Sequence, residues 1–143
     1  MAAMTIEQPQ SALADAVERV GDRWSLLVVE ALLAGPRRFK ELVGVIEGIA
    51  PNILSARLKH LERQGLLIAR PYSRRPLRNA YELTAPGREL AGALRMLAHW
   101  AARASGAEAL RHGSCGTPLE TRWYCPTCAE AVERPEEDEL RYV

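Results

Sequence analysis

Four residues toward the C-terminal end of the chain have the types and the spacing of metal ligands. His112-Gly-Ser-Cys115 and Cys125-Pro-Thr-Cys128 each separate two donors by two residues. A C-x-x-C pair on a tight turn presents two thiolates to one tetrahedral ion, and Cys115 with His112 completes a Cys3His set for zinc. A tail of about thirty residues with little apolar content cannot fold by burial alone, so a metal would supply folding energy there. A closed four-ligand site of that kind is structural and not catalytic. Two other readings stand beside it: a redox-active C-x-x-C, and three incidental thiols. A thioredoxin-type pair sits at a helix start within a βαβ unit, and no such pattern surrounds Cys125 and Cys128. The chain also lacks G-x-x-x-x-G-K-[ST], G-x-S-x-G and H-E-x-x-H, so an enzyme is not expected.

The second chemistry is cationic. The net charge is only +1, but it is sharply segregated. Residues 37–78 hold ten Lys and Arg against three acidic residues, whereas residues 120–143 hold three against seven. A positive block of domain size is the footprint of a surface that meets phosphates.

The elements that must position these cations follow from periodicity. Leu13, Val17 and Val20 repeat at helical spacing behind Ser11, a fitting N-cap, and Gly21 ends that helix. From Arg23 a second helix is apolar nearly all round, which marks it as central, until Gly35-Pro36 stops it. Phe39, Leu42, Val43 and Ile46 form the face of a third. Pro51 opens a fourth, with Leu54, Leu58 and Leu61 inward and Gly65 at its end. Leu66 to Arg70 and Asn79 to Thr84 read as two strands around a turn-rich segment with two prolines. A long final helix carries Leu90, Leu94, Leu97 and Ala101 on one stripe, with His99 and Trp100 read as packing residues, and periodicity ends after Gly113.

This order is that of a winged helix-turn-helix: α+β, mainly α, with a small Cys-rich, zinc-ribbon-like tail. At 100° per residue, the leucines of the fourth helix leave Asn52, Ala56, Lys59 and Arg63 on the opposite face. Ser55 lies on the flank, and Arg57 and His60 lie at the other boundary. Asn52 and Ser55 therefore suit base edges, and Lys59 suits phosphate, as do the guanidiniums of Arg74, Arg75 and Arg78 at the wing. Arg38 joins this surface, and Arg57 is expected to anchor the helix on the DNA backbone. A different class of function fits the same elements: a winged-helix and zinc-ribbon module that docks proteins without touching DNA. Such a module has no need of ten cations against three.

Four stretches together resemble the HxlR family of bacterial winged-helix regulators, which is similar in character to the MarR type. They are Gly21-Asp-Arg-Trp24, Gly35-Pro-x-Arg-Phe39, Leu54-Ser-x-Arg-Leu-x-x-Leu61 and Tyr81-x-Leu-Thr-x-x-Gly87. The resemblance covers about residues 11–105. It implies a homodimer on an inverted-repeat operator in double-stranded DNA, more often repressing than activating. It also implies that the fourth helix and wing lie on DNA and that the first and last helices form most of the dimer interface. A small-molecule effector belongs among the partners to be expected. Many members carry a Cys just before the first helix, but here that region reads Pro9-Gln10-Ser11-Ala12, so thiol sensing at that place is not expected. Ala50 stands where a Ser or Thr cap is more usual, and Ala129 where a Gly often follows the second Cys of the pair.

At 143 residues the chain reads as a flexible N-terminus (1–10), a winged-helix and dimerisation domain (11–112) and the Cys-containing tail (113–143). Its longest apolar run, from Trp24 to Ala34, is interrupted by Ser25 and Glu30 and falls short of the ~18 residues of a membrane span. MAAMTIEQPQ has no basic segment followed by an apolar one, and three Cys make no disulfide framework. A cytoplasmic protein is expected.

Overall fold

The computed structural model describes residues 11–106 and 110–132; the segment read as a flexible N-terminus lies outside them. Helix α1 (Ala12–Val20) begins where the Ser11 hydroxyl accepts the Ala14 N–H at 3.1 Å. Helix α2 (Arg23–Leu33) begins where the Asp22 carboxylate accepts the N–H groups of Trp24 and Ser25. These caps satisfy donors that the first turn leaves without partners. Strand β1 (Arg37–Arg38), α3 (Phe39–Val45), α4 (Pro51–Arg63), β2 (Leu67–Arg74), β3 (Leu77–Leu83) and α5 (Ala85–Ser105) follow. The short strands β4 (Trp123–Cys125) and β5 (Glu130–Val132) come last.

The core forms where the apolar stripes meet. Val28, Val29 and Leu32 of α2 pack with Leu42, with Leu54, Leu58 and Leu61 of α4, and with Leu67 and Leu83 of the sheet. Each such side chain, removed from water, contributes about 1.5–3 kcal/mol. The sheet is antiparallel, in the order β1-β3-β2. The β1 strand was missed in the sequence, because two residues carry no readable period. Strand β2 runs past Pro71, where a turn was expected. It is an edge strand, so a residue without an N–H is tolerated there, and a bulge between Pro71 and Ser73 absorbs the mismatch.

The Leu-Thr-x-x-Gly stretch has a packing reason. The Thr84 hydroxyl donates to the Gly65 carbonyl at 2.6 Å and accepts the Gly87 N–H at 3.2 Å, and the Thr84 N–H reaches the Leu66 carbonyl at 3.0 Å. The end of α4 and the start of α5 are thus tied to one residue. A Cβ on Gly87 would lie 2.0 Å from the Leu66 oxygen, so no larger residue fits this approach.

The chain forms two compact units, Met1–Leu94 and Arg95–Val143. The second therefore takes in the distal end of α5, whereas the sequence placed its boundary after residue 112, where periodicity fades. Leu90 and Leu94 pack on the core as expected. Leu97 and Trp100, read as packed, are 53% and 71% exposed, and Leu13 and Val17 of α1 are also exposed. Helical spacing gives a residue its face but does not say that anything covers that face. Among the described residues, no helix is long and apolar enough to cross a membrane.

Candidate nucleic-acid interface

The sequence-derived angles for α4 hold in three dimensions. Leu54, Leu58 and Leu61 are buried, while Asn52, Ala56, Lys59 and Arg63 are exposed and Ser55 is half-buried. Pro51 occupies the first helical position and Ala50 gives no side-chain cap, so the first turn has no side-chain partner for its backbone N–H groups. The outer face is slim at its start and cationic toward its end.

Two networks hold α4 in place. At its C-terminal end, His60 Nε2 lies 2.9 Å from the Arg19 carbonyl, and Arg19 donates to the Gln64 side chain and carbonyl at 3.2 Å each. At its middle, Arg57 Nη1 lies 3.4 Å from Asp22 Oδ2, the carboxylate that caps α2. The Ser25 hydroxyl, fully buried, donates to the same carboxylate oxygen. Burial raises the Asp22 pKa. The hydrogen bonds from the Ser25 hydroxyl and N–H, the Arg57 charge and the Trp24 N–H outweigh it and hold the carboxyl below the ordinary aspartate value. Arg57 Nε is buried with no hydrogen-bond partner among the described residues. Arg57, expected on the DNA backbone, is thus turned toward α2. Asp22 in Gly-Asp-Arg-Trp was the available signal, as an N-cap whose carboxylate has capacity left for a cation.

The wing extends the surface. Strands β2 and β3 turn at Arg75-Pro76, which has a cis peptide, and the Ser73 hydroxyl donates to the Pro76 carbonyl at 2.9 Å. Arg74, Arg75 and Arg78 are exposed, and no ion pair engages them among the described residues. Arg70 differs: it pairs with Glu82 across the hairpin. Arg37 is also committed, donating to the Ala31 carbonyl at the end of α2 at 2.8 Å. Arg38 lies with its guanidinium 4.4 Å from the centroid of the Tyr72 ring. That stack holds Arg38 beside the wing, and Tyr72 was not found from the sequence because its role depends on the bulged strand.

The tail donors form two pairs. His112 Nδ1 lies 3.2 Å from Cys115 Sγ, which also meets the Thr117 hydroxyl at 3.2 Å. The Thr117 hydroxyl and N–H, and then His112, bring the Cys115 thiol down to about 7. Cys125 is lowered by the Cys128 N–H, the Cys128 thiol and the Thr127 N–H, while Cys128 is raised by its hydrogen bond to Cys125 and by the charge there. Among the described residues, no three His, Cys, Asp or Glu side chains converge on one metal position.

The comparisons with known proteins agree with the geometry. A family model described as HxlR-like helix-turn-helix matches residues 19–109. An uncharacterised HTH-type transcriptional regulator of Mycobacterium tuberculosis is 38% identical over 122 residues, covering 82% of this chain and 77% of that protein. A candidate transcription factor of Pseudomonas aeruginosa has a solved structure with a TM-score of 0.66 and 34% identity, covering 85% of this chain and 86% of that one. The crystal structure of a second candidate transcription factor reaches a TM-score of 0.75 at 26% identity, over 95% of this chain and 96% of that one.

Proposed function

The chain belongs to the HxlR-like helix-turn-helix family of transcriptional regulators, and from that premise we propose that it binds operator DNA sequence-specifically as a homodimer. The observation that carries this reading is the division of labour on α4. Its leucines are committed to the core, while Asn52, Lys59 and Arg63 are exposed on the opposite face of the helix. Asn52 and Ser55 read base edges near the helix start. Lys59 meets phosphate, and Arg74, Arg75 and Arg78 reach phosphate or the adjacent minor groove. Arg38 is held at the wing by Tyr72 for the same purpose.

The dimer is supported by apolar side chains left open on α1 (Leu13, Val17) and on the distal part of α5 (Met96, Leu97, Trp100). Two copies would read two half-sites of an inverted repeat about one DNA turn, ~34 Å, apart. Repression is the outcome that occupancy alone produces, since a dimer seated on DNA excludes other proteins from that stretch, whereas activation requires a further contact. The intracellular compartment that holds the genome is the place of action.

Crosslinking the full chain to DNA in cells and sequencing what co-purifies tests this reading. The expected result is a small set of sites sharing one inverted repeat. Recovery of no enriched DNA, with the protein instead crosslinked to another protein through α4, would replace it by a docking function.

A further inference from the structure

Residues 110–132 pose a folding problem that the winged-helix body does not. No side chain in this stretch is buried: Leu110, Leu119, Trp123 and Tyr124 are all exposed, and only Cys125 and Val132 are even half-covered. The backbone is nonetheless organised. It makes two turns of the same design, each spanning a pair of donors three residues apart.

In the first turn, the Gly116 N–H reaches the His112 carbonyl at 2.8 Å and the His112 N–H reaches the Thr117 carbonyl at 2.9 Å, with an antiparallel bridge between Arg111 and Pro118. In the second, Cys125 pairs with Glu130 at the end of the β4–β5 ladder. The residue after the last donor is left-handed in both: Gly116 at φ 71° and Ala129 at φ 56°. For Ala129 this is a conformation that a Cβ disfavours, so something must favour the turn. At the first turn the two donors are already side by side, with His112 Nδ1 3.2 Å from Cys115 Sγ.

We propose that His112, Cys115, Cys125 and Cys128 bind one zinc ion, and that this ion draws the two turns together and folds residues 110–132. Each turn offers a preformed bidentate half-site, and the nine residues 116–124 between the pairs are a link of ordinary length for two such turns. Three sulfurs and one imidazole suit tetrahedral zinc, whereas calcium and magnesium require oxygen ligands. With all four positions filled by protein, the ion has no open site for chemistry and acts as the apolar core this unit lacks.

The test uses untagged full-length protein purified under reductant. Elemental analysis is expected to find about one zinc per subunit. After stripping, titration with Co2+ should give the visible spectrum of a tetrahedral site with thiolate ligands. Loss of a mere outer-shell partner lowers metal affinity about 10–100-fold, so Cys125→Ser should lower zinc affinity, measured against a chromophoric chelator, by more than about 100-fold. His112→Ala should lower it less, because water can take the fourth position. Hydrogen exchange on the full chain should show the 110–132 amides losing protection on chelation while those of α2 and α4 keep theirs. An octahedral cobalt spectrum with no bound zinc would overturn the proposal. So would an unchanged zinc content in Cys125→Ser, or a Cys125–Cys128 disulfide recovered in its place. None of these readouts involves DNA, so the proposal stands or falls apart from the operator-binding function.

Discussion

The α2–α4 core and the 110–132 tail hold their backbones by opposite means. In the first, Val28, Leu42, Leu54 and Leu61 are completely buried, and Asn52, Lys59 and Arg63 of α4 are free to face outward. In the second, no described side chain is buried, and the thiols and imidazole that could act on a ligand are the groups left to organise the chain. A surface can specialise in binding only where something else carries the fold. That is why the cations of α4 and the wing read as an interface, whereas the donors of the tail read as structure.

The comparison can be broken most sharply at its apolar side. Leu61→Ala removes a fully buried side chain from the meeting point of α2, α4 and the sheet, and should cost about 2–5 kcal/mol in chemical denaturation. Gly87→Ala is expected to cost about 1–3 kcal/mol, since the added Cβ meets the Leu66 carbonyl, a backbone atom that can move only with β2. A melting temperature equal to that of the parent would show that α5 can shift away from the sheet freely.

A smaller effect separates the polar network beneath α4 from the leucines above it. The Asp22 carboxyl has its pKa depressed in the folded chain. Its contribution is therefore fully present above the unfolded pKa and is lost as the pH falls through the folded value, in the acid range below about pH 4. Asp22→Asn should be less stable than the parent at neutral pH, and the gap should narrow on acidification. Thermal melts of both proteins across that range check it. A gap independent of pH would mean that the Ser25 hydrogen bonds and the Arg57 charge do not favour the ionised Asp22 carboxyl in the fold.

Much of this was legible in the sequence, for identifiable reasons. The outer face of α4 followed from three leucines, because helical angle depends only on spacing. Ser11 and Pro51 marked helix starts by their own chemistry. What escaped depends on partners distant in sequence. Arg57 looks like any cation of the basic block until Asp22, at the start of another helix, is brought beside it. Arg70 and Arg37 leave that block in the same way, one for Glu82 and one for a carbonyl of α2. Pro71 reads as a breaker unless its strand is known to lie at a sheet edge. Leu97 and Trp100 carry the helical period of a packed stripe, but exposure is a property of the neighbours. In the tail, the donor spacing and the tight turn at Cys125–Cys128 were visible, and the matching turn at His112–Cys115 was not, because its backbone bonds have no sequence signature.

The central claim is that the outward cations of α4 and the wing meet DNA phosphate. A fluorescence titration of the full chain, Lys59→Ala and Arg75→Ala against operator and random duplexes at several salt concentrations tests it most directly. Each variant should bind both duplexes more weakly, and the slope of log affinity against log salt should flatten by about one for each lost phosphate contact. Unchanged affinity and unchanged slope in both variants would contradict the account and reduce the basic block to a solvated surface.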